Sequence, residues 1–450
     1  MWRPTLPASN LPKYAALAEA LRRDIASGLL TATERLPPQR ELAGALGLTV
    51  PTVTRAYALA ARRGLITATV GRGTFVRGPL LAADDGGVLD LSINTLPPHA
   101  HRGELASRLE WASEAEHRAR LLDYPPHAGR AEHREAGARW FAMRGIEVAP
   151  SRVLVTAGAQ HALLVALASI ARPGDTVLVE QLTYAGVVEA ARLLGLSLRA
   201  VAMDASGLMP AALERAIEET HAAAIVLQPA LHNPTGISWT PARRRDNTVI
   251  IERHGLHVIE DDTYGFLAPD ASPLVSSLRT GWSCVTGLSK AVTGGLRIGY
   301  LAVPEARVDV AGRALWGTAI ATSPITADLA AAWLADGTID GLVAWKRDEM
   351  RARQSMAREL LPGIPAGVHL ASPHVWWQLP RAWKPVSFLA EARARGIVLG
   401  APEGFLGQQG AVPRAVRVCL GPPATRERLR QALVTLRDLA ARDRISAPLV

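Results

Sequence analysis

The sequence predicts an α/β protein in two parts, a small three-helix unit ending in a hairpin and a large body built on a layered, largely parallel sheet. Three observations carry this expectation. Strand-like and helix-like stretches alternate through residues 152–286, as they do where helices cover the faces of a parallel sheet. Positive charge is concentrated at the front: of a formal net charge of +9, residues 1–77 hold +7, from eleven basic and four acidic side chains. At 450 residues the chain also exceeds one ordinary core, so two or three domains are expected.

Composition narrows the class. Hydrophobic content of 48% with 20% charged residues is that of a globular chain. The basic front points to a polyanionic partner there. The two cysteines, Cys284 and Cys419, lie in apolar, strand-like runs, which argues against a disulfide framework and a zinc site; no metal is expected. Residues 1–10 lack an apolar signal-peptide region, and the apolar run around Ala162 to Ala171 is too short to span a bilayer. A cytoplasmic protein without a membrane partner is expected.

In the front unit, Tyr14 to Ser27 places Leu17, Ala20, Leu21 and Ile25 on one helical face, with Gly28 as a stop. Pro37-Pro38 opens a short helix, Gln39 to Leu46, closed by Gly47. Thr49 is an N-cap, with Pro51 in the first turn of a third helix that runs to Arg63 and stops at Gly64. Val53, Ala56, Tyr57 and Ala60 form its inner stripe, leaving Thr52 and Arg55 outward. Leu65 to Val70 and Thr74 to Val76 read as strands joined by Gly71-Arg72-Gly73, a hairpin with an arginine at its tip. Three helices and a basic hairpin make a winged helix-turn-helix, expected over residues 11–77. Its third helix would enter a major groove of double-stranded DNA while Arg72 reaches a phosphate or the minor groove.

Three blocks here resemble the GntR family of bacterial regulators: Leu36-Pro-Pro-Gln-Arg-Glu-Leu-Ala43, Leu48-Thr-Val-Pro-Thr-Val-Thr-Arg-Ala56 and Gly71-Arg-Gly-Thr-Phe-Val76. The resemblance implies DNA contacts by Arg40, Thr52, Arg55 and Arg72. Each has a plainer alternative: Arg40 could pair with Glu41 or Glu34, and Thr52 could simply fill a first turn. Arg62 and Arg63 read as a solvated helix end. Gly78 to Val88, rich in glycine and aspartate, reads as a linker over residues 78–88. Eleven residues span at most about 40 Å.

The body, residues 89–450, carries the chemistry, with a smaller α+β lobe expected over about 340–450. In Cys284 to Tyr300 an apolar run ends in Ser289-Lys290, and Gly294-Gly295 leads to Arg297. A lysine among apolar and small residues can lose its charge by burial, as imine formation with an aldehyde requires. An arginine one loop away suits a phosphate. Pyridoxal phosphate (PLP) carries both groups. Upstream, Thr156 to Gln160 joins a strand to a helix through Gly158 and Ala159, so free N–H groups at the helix start, Gln160 included, form an anion site. Tyr184 could stack on a ring. Asn233 follows an apolar run, while Asp261 and Tyr264 follow the next, at the sheet edge where ligands bind. A carboxylate keeps a pyridine nitrogen protonated, and donors to the ring oxygen steady the imine.

The body resembles the fold-type I, class I/II aminotransferases over nearly all of residues 90–440. The resemblance implies Lys290 as the imine lysine, Asp261 as partner of the pyridine nitrogen, Asn233 and Tyr264 on the ring oxygen, and Tyr184 stacked on the ring. It places Gly158, Ala159, Ser289 and Arg297 around the phosphate. In Ala415-Val-Arg-Val-Cys-Leu420 it implies Arg417, with Arg414 as the alternative register, for a substrate's α-carboxylate. Gly287 stands where the family has a serine, and His133-Arg134 replaces its usual Leu-Arg. Asp262, Cys419, Trp376 and Trp377 read as structural.

A GntR-type reader joined to such a body resembles the MocR subfamily across the whole chain. This implies a PLP-dependent transcription factor, a homodimer, that senses PLP or its adduct with a small amine or amino acid. Two other readings stay open: a working aminotransferase with a DNA-binding head, and a cofactor-free dimerisation scaffold.

Overall fold

The computed structural model describes residues 2, 4–5, 12–26, 29–30, 34–62, 65–69, 73–76, 88–97, 121, 123–279 and 281–441. Arg72, Arg63 and linker positions 78–87 lie outside the described residues, as does the side chain of Arg62. The chain divides into two compact units, Met1–Gly87 and Val88–Val450.

In the first unit, helices α1 (Lys13–Ala26), α2 (Gln39–Leu46) and α3 (Val50–Arg62) precede an antiparallel pair, β1 (Ile66–Thr69) and β2 (Gly73–Val76). The apolar stripes decide the packing: Leu17, Leu21, Leu42, Val53, Ala56, Tyr57 and Ala60 form one core with Ile66 and Val76. Helix α2 ends where Gly47 takes a left-handed φ of 62°, a conformation that costs glycine little. At the start of α3, the Thr49 hydroxyl accepts from Thr52 N at 3.4 Å and lies 2.8 Å from Thr52 Oγ1. Buried Tyr57 donates to Pro37 O at 2.9 Å, tying α3 to the entrance of α2.

The second unit begins with β3 (Leu89–Leu91) and α4 (Ala131–Ala142). Its sheet has seven strands in the order β4-β12-β11-β10-β9-β5-β6. These are β4 (Val153–Thr156), β5 (Thr176–Glu180), β6 (Ser197–Val201), β9 (Ala224–Leu227), β10 (His257–Asp261), β11 (Trp282–Gly287) and β12 (Gly299–Ala302). A two-strand ribbon, β7 (Met203–Asp204) with β8 (Gly207–Leu208), stands apart. All neighbours in the main sheet pair in parallel except β12, which is antiparallel to β11 and β4. The turn through Gly294-Gly295 makes that reversal, and the sequence reading did not assign β12, a four-residue strand that only one short helical turn separates from β11.

Helices α5 (Ala159–Ile170), α6 (Ala185–Leu193), α7 (Pro210–Thr220) and α8 (Pro241–His254) alternate with the strands. The four-residue α9 (Leu288–Ala291) follows β11, then come α10 (Val308–Ala319), α11 (Pro324–Ala335) and the long α12 (Thr338–Leu360). Sheet strands β4, β5, β9 and β12 are mostly apolar, and these strands together with β10 and β11 are buried along nearly their whole length.

The smaller lobe pairs β13 (His374–Gln378) with β15 (Ala415–Cys419), flanked by α13 (Pro385–Ala394) and α14 (Arg426–Ala440). Its remaining strand, β14 (Ile397–Leu399), pairs in parallel with β3. The first strand of the unit thus belongs with the last hundred residues, a partnership that adjacency in sequence does not reveal. Trp376, Trp377 and Cys419 are buried on these strands.

Candidate functional site

Strands β9, β10 and β11 are adjacent and parallel, so their carboxyl ends bring Gln228, Asp261 and Lys290 to one edge of the sheet. Asp261 is buried. Its Oδ1 accepts from Thr263 N at 3.0 Å and from the Thr263 hydroxyl, and its Oδ2 accepts from Gln228 Nε2 at 2.6 Å. Burial raises its pKa, while the Thr263 and Gln228 hydrogen bonds oppose the rise. Gln228 also accepts from Asn233 N at 3.0 Å, so one amide spaces Asp261 from Asn233.

Lys290 is half-buried on α9, and its Nζ donates to Asn94 O. Burial brings its pKa down to about 8; Arg417 and Arg297 add to the fall, and Cys419 and Asp261 resist it. The Tyr264 ring centroid is 5.8 Å from Nζ, and the His374 ring meets Tyr264 edge-on at 5.9 Å. Tyr264 is buried, which raises its phenol pKa. His374 bridges to Asn94 Nδ2 at 2.7 Å and to His232 O at 3.0 Å, and burial lowers its pKa to about 3.

The smaller lobe supplies Arg417 from β15. Its Nη1 donates to Asn233 Oδ1 at 2.7 Å and its Nη2 to Ser92 O, and its guanidinium lies 4.6 Å from the Phe405 ring centre. Arg414 is exposed, and its backbone carbonyl accepts from Leu379 N at the lobe's strand pair.

The anion side is built from α5, β11 and the loop after α9. Helix α5 begins at Ala159, so the N–H groups of Ala159 and Gln160 precede its first full-turn bond, from Ala162 N to Gly158 O at 3.1 Å. Arg297 has a left-handed φ of 50°, and its guanidinium donates to Ala157 O at 3.2 Å and reaches Ser289 Oγ at 3.5 Å. Gly158, at φ 94°, makes that approach possible: a Cβ there would lie 2.6 Å from Arg297 Nη2. Among the described residues no carboxylate pairs with Arg297. Gly287 has its own packing reason, since a Cβ would sit 3.0 Å from Ile298 O and 3.4 Å from Ala159 N. Tyr184 and Gln160 both line Gly186, and Gln160 Nε2 donates to Gly186 O at 2.8 Å.

The structure therefore brings together Gly158, Ala159, Gln160, Tyr184, Asn233, Asp261, Tyr264, Ser289, Lys290, Arg297 and Arg417. Asn94 Oδ1, Gln160 Oε1 and Arg417 Nε are buried with no hydrogen-bond partner among the described residues. Unsatisfied polar atoms on three separate segments that carry or bond to the expected site residues fit a polar ligand. Asp262 belongs elsewhere, in a buried bidentate pair with Arg144 at 2.8 and 3.1 Å. On the first unit, Arg40 and Arg55 are exposed on α2 and α3, and Thr52 is engaged with Thr49.

Sequence reasoning missed Gln228, Ser92, Asn94, His374 and Lys346. Lys346 Nζ donates to Lys290 O at 2.9 Å and Val292 O at 2.8 Å. Its signal was visible: it occupies an inner position of α12 beside Leu342, Val343 and Met350, where the stripe calls for an apolar residue. Gln228 was signalled by its place at a strand's carboxyl end. The other three depend on contacts between distant segments.

The family of aminotransferase class I and II matches residues 86–436, and the gntR family of bacterial regulatory proteins matches residues 13–76. The chain is 30% identical over 448 residues to the "Uncharacterized HTH-type transcriptional regulator YdeF" of Bacillus subtilis (strain 168), covering 97% of this chain and 96% of that one. It is 30% identical over 301 residues to the "Vitamin B6 salvage pathway transcriptional repressor PtsJ" of Salmonella typhimurium (strain LT2), covering 64% and 67%. In fold it is similar to an archaeal alanine:glyoxylate aminotransferase, with a TM-score of 0.73 and 23% identity over 78% of this chain and 90% of that one. LysN, the alpha-aminoadipate aminotransferase of Thermus thermophilus, gives 0.70 and 23% over 86% and 97%. These structures share fold type I; the match to the class I and II aminotransferase family implies a cofactor of the PLP type. No described helix is long and apolar enough to cross a membrane. The chain belongs to the HTH-type transcriptional regulators of MocR-type architecture, in which a GntR-type head is joined to a class I and II aminotransferase-like body.

Proposed function

We propose that this regulator binds specific double-stranded DNA through its head and that PLP, or PLP with a small amine or amino acid, sets its DNA-binding state through the body. One observation carries the reading. Lys290 donates to Asn94 O and Arg417 donates to Ser92 O, and these carbonyls belong to the first described segment after the linker, residues 88–97. The two groups expected to meet a ligand are thus two of the groups that hold the segment just after β3.

Bound PLP supplies an aldehyde for a lysine amine and a ring that accepts electrons. Lys290 would hold it, with Asp261 at the ring nitrogen, Asn233 and Tyr264 at the ring oxygen, and Tyr184 against the ring. Gly158, Ala159, Gln160, Ser289 and Arg297 would hold the phosphate. Bonded to an aldehyde, the Lys290 nitrogen would keep at most one N–H, so holding the ligand competes with its bond to Asn94 O. Arg417 likewise exchanges Ser92 O for an incoming carboxylate, a stronger, charge-assisted partner. Ligand binding therefore changes what holds residues 92–94, a difference between two states that a ligand can select. The name of the relative PtsJ, a repressor of vitamin B6 salvage, supports a B6 compound as the signal.

On the head, Arg55 and Arg40 offer exposed charge, Thr52 lies in the first turn of α3, and Arg72 would serve from the hairpin tip. A homodimer is part of the reading: Trp316 near the end of α10 and Ile320 just past it are 62% and 52% exposed, apolar surface for a second copy to cover. With DNA as its partner, the protein acts in the cytoplasm.

The test is a titration of PLP, alone and with candidate amines, against fluorescent DNA from upstream of its own gene and an unrelated duplex of equal length. Selective, salt-sensitive binding that changes with PLP is expected. Equal affinity for both duplexes, with and without PLP, would refute the reading. Sustained turnover of amino acid and 2-oxoacid pairs would favour the aminotransferase alternative.

A further inference from the structure

A cavity of about 620 Å³ opens between helix α8 and the segment 270–277, and none of the residues gathered around Lys290 lines it. Small-molecule sites run from roughly 300 to 1,000 Å³. Helix α8 turns Arg244, Arg245 and Thr248 toward it, spaced by three and four residues on one face, while Asn247, Ile250 and Ile251 form the helix's buried face. Arg244 is half-buried. Its Nε donates to Trp239 O at 3.2 Å and its Nη2 to Pro229 O at 3.4 Å, and its Nη1 is buried with no partner among the described residues. Thr248 Oγ1 is likewise buried and unpartnered among the described residues. The carboxylates whose charge reaches Arg244 are all engaged elsewhere. Glu260 accepts from Leu274 N and Val275 N, Asp262 is paired with Arg144, and Asp270, the only carboxylate among the described lining residues, lies 3.1 Å from His369 Nε2. Arg245 is exposed and pairs with no described carboxylate. A half-buried guanidinium held by two long carbonyl bonds lacks a counter-ion, and its planar fork suits the paired oxygens of an anion.

The same bonds tie the cavity to the loop that carries Asn233. Pro229 and Trp239 are the ends of that loop, and Trp239 N donates to Pro229 O at 2.8 Å to close it. Arg244 holds both ends through their carbonyls, and His369, on the cavity's lining, donates its backbone N–H to Gly236 O at 2.9 Å within the loop. We propose that this cavity is a second ligand site, taking a small molecule with a phosphate or carboxylate group on Arg244 and Arg245, and that its occupant firms the Asn233 loop through Arg244. An anion there stabilises the guanidinium in the position from which it holds Pro229 O and Trp239 O, so occupancy and loop order favour one another. The site stands without the cofactor reading of Lys290; only the consequence of a firmer Asn233 for a ligand at Lys290 rests on that reading.

The test is calorimetric titration of the PLP-loaded protein with inorganic phosphate and, separately, with citrate at constant ionic strength, in wild type, R244Q, R245Q and, as a control on α7, R215Q. Saturable binding of at least one of the two anions is expected, phosphate for a phosphate ester as the natural occupant and citrate for a polycarboxylate. R244Q and R245Q should each weaken it by at least about ten-fold, and R215Q should leave it within about two-fold. Saturation should also slow hydrogen–deuterium exchange across residues 229–239. Failure of both anions to bind the wild type, or binding that survives both R244Q and R245Q, would overturn the site. Unchanged exchange at saturation would overturn its link to the loop. If R244Q does not fold, R245Q decides, since the Arg245 side chain is exposed. If the wild type takes up no PLP, the same titrations in R297Q remove the other anion side, so the cavity is tested whether or not Lys290 holds a cofactor.

Discussion

On the head, Arg40 and Arg55 stand exposed with no carboxylate partner among the described residues, whereas in the body Lys290 and Arg417 are already bonded to the backbone carbonyls of Asn94 and Ser92. The first pair displays charge that a polyanion can meet without any protein bond being broken. The second pair meets a ligand in competition with bonds to its own chain. The difference separates a unit suited to attraction from a unit suited to switching. It also explains why the two should respond differently to salt, since exposed charges are screened and buried exchanges are much less so.

Four changes would break or sharpen this contrast. The largest effect belongs to Lys290→Ala. Any PLP absorbance band tied to the lysine should vanish and PLP should lose its influence on DNA affinity, while binding without PLP stays within about two-fold because the head is untouched. A PLP response that survived would end the contrast at its centre. Next, Arg144→Ala strands Asp262 in the body core and should cost about 3–5 kcal/mol in urea unfolding. DNA binding at temperatures where the body remains folded should be nearly unchanged.

Arg417→Ala should weaken a carboxylate-bearing amino compound by about 10–100-fold, as removal of a charge-assisted pair does. Its effect on PLP alone should be much smaller, which calorimetry with and without the amine would resolve. The smallest effect is on the head: Arg55→Ala should cost about 1–3 kcal/mol against the preferred duplex and relax choice at one base position, read by competition with point-mutated duplexes.

The residues that sequence made legible share a physical trait. Asn233, Asp261, Tyr264 and Lys290 each follow an apolar strand in a short local pattern, and a parallel sheet must gather such positions at one edge. The front unit was legible for a similar reason: Gly47 and Thr49 punctuate the helices, and the stripe of Val53, Ala56, Tyr57 and Ala60 is the buried face of α3. What stayed hidden comes from long-range pairing. His374 meets Asn94 across 280 residues, and Arg417 meets Ser92 across 325. Strand β3 is three residues long and finds its partner in β14, too short for any periodicity to announce it. Gly287 was a departure from the family pattern in sequence, but in the fold it lets a strand end lie against the start of α5.

The claim that ligands act on the body by replacing its internal bonds is tested most directly by hydrogen–deuterium exchange of residues 88–97, with and without PLP, in wild type and in Lys290→Ala. Faster exchange in this segment when PLP is added to wild type, and no change in Lys290→Ala, is the predicted result. Unchanged protection of residues 88–97 in wild type whose Lys290 absorbance band has fully formed would contradict it.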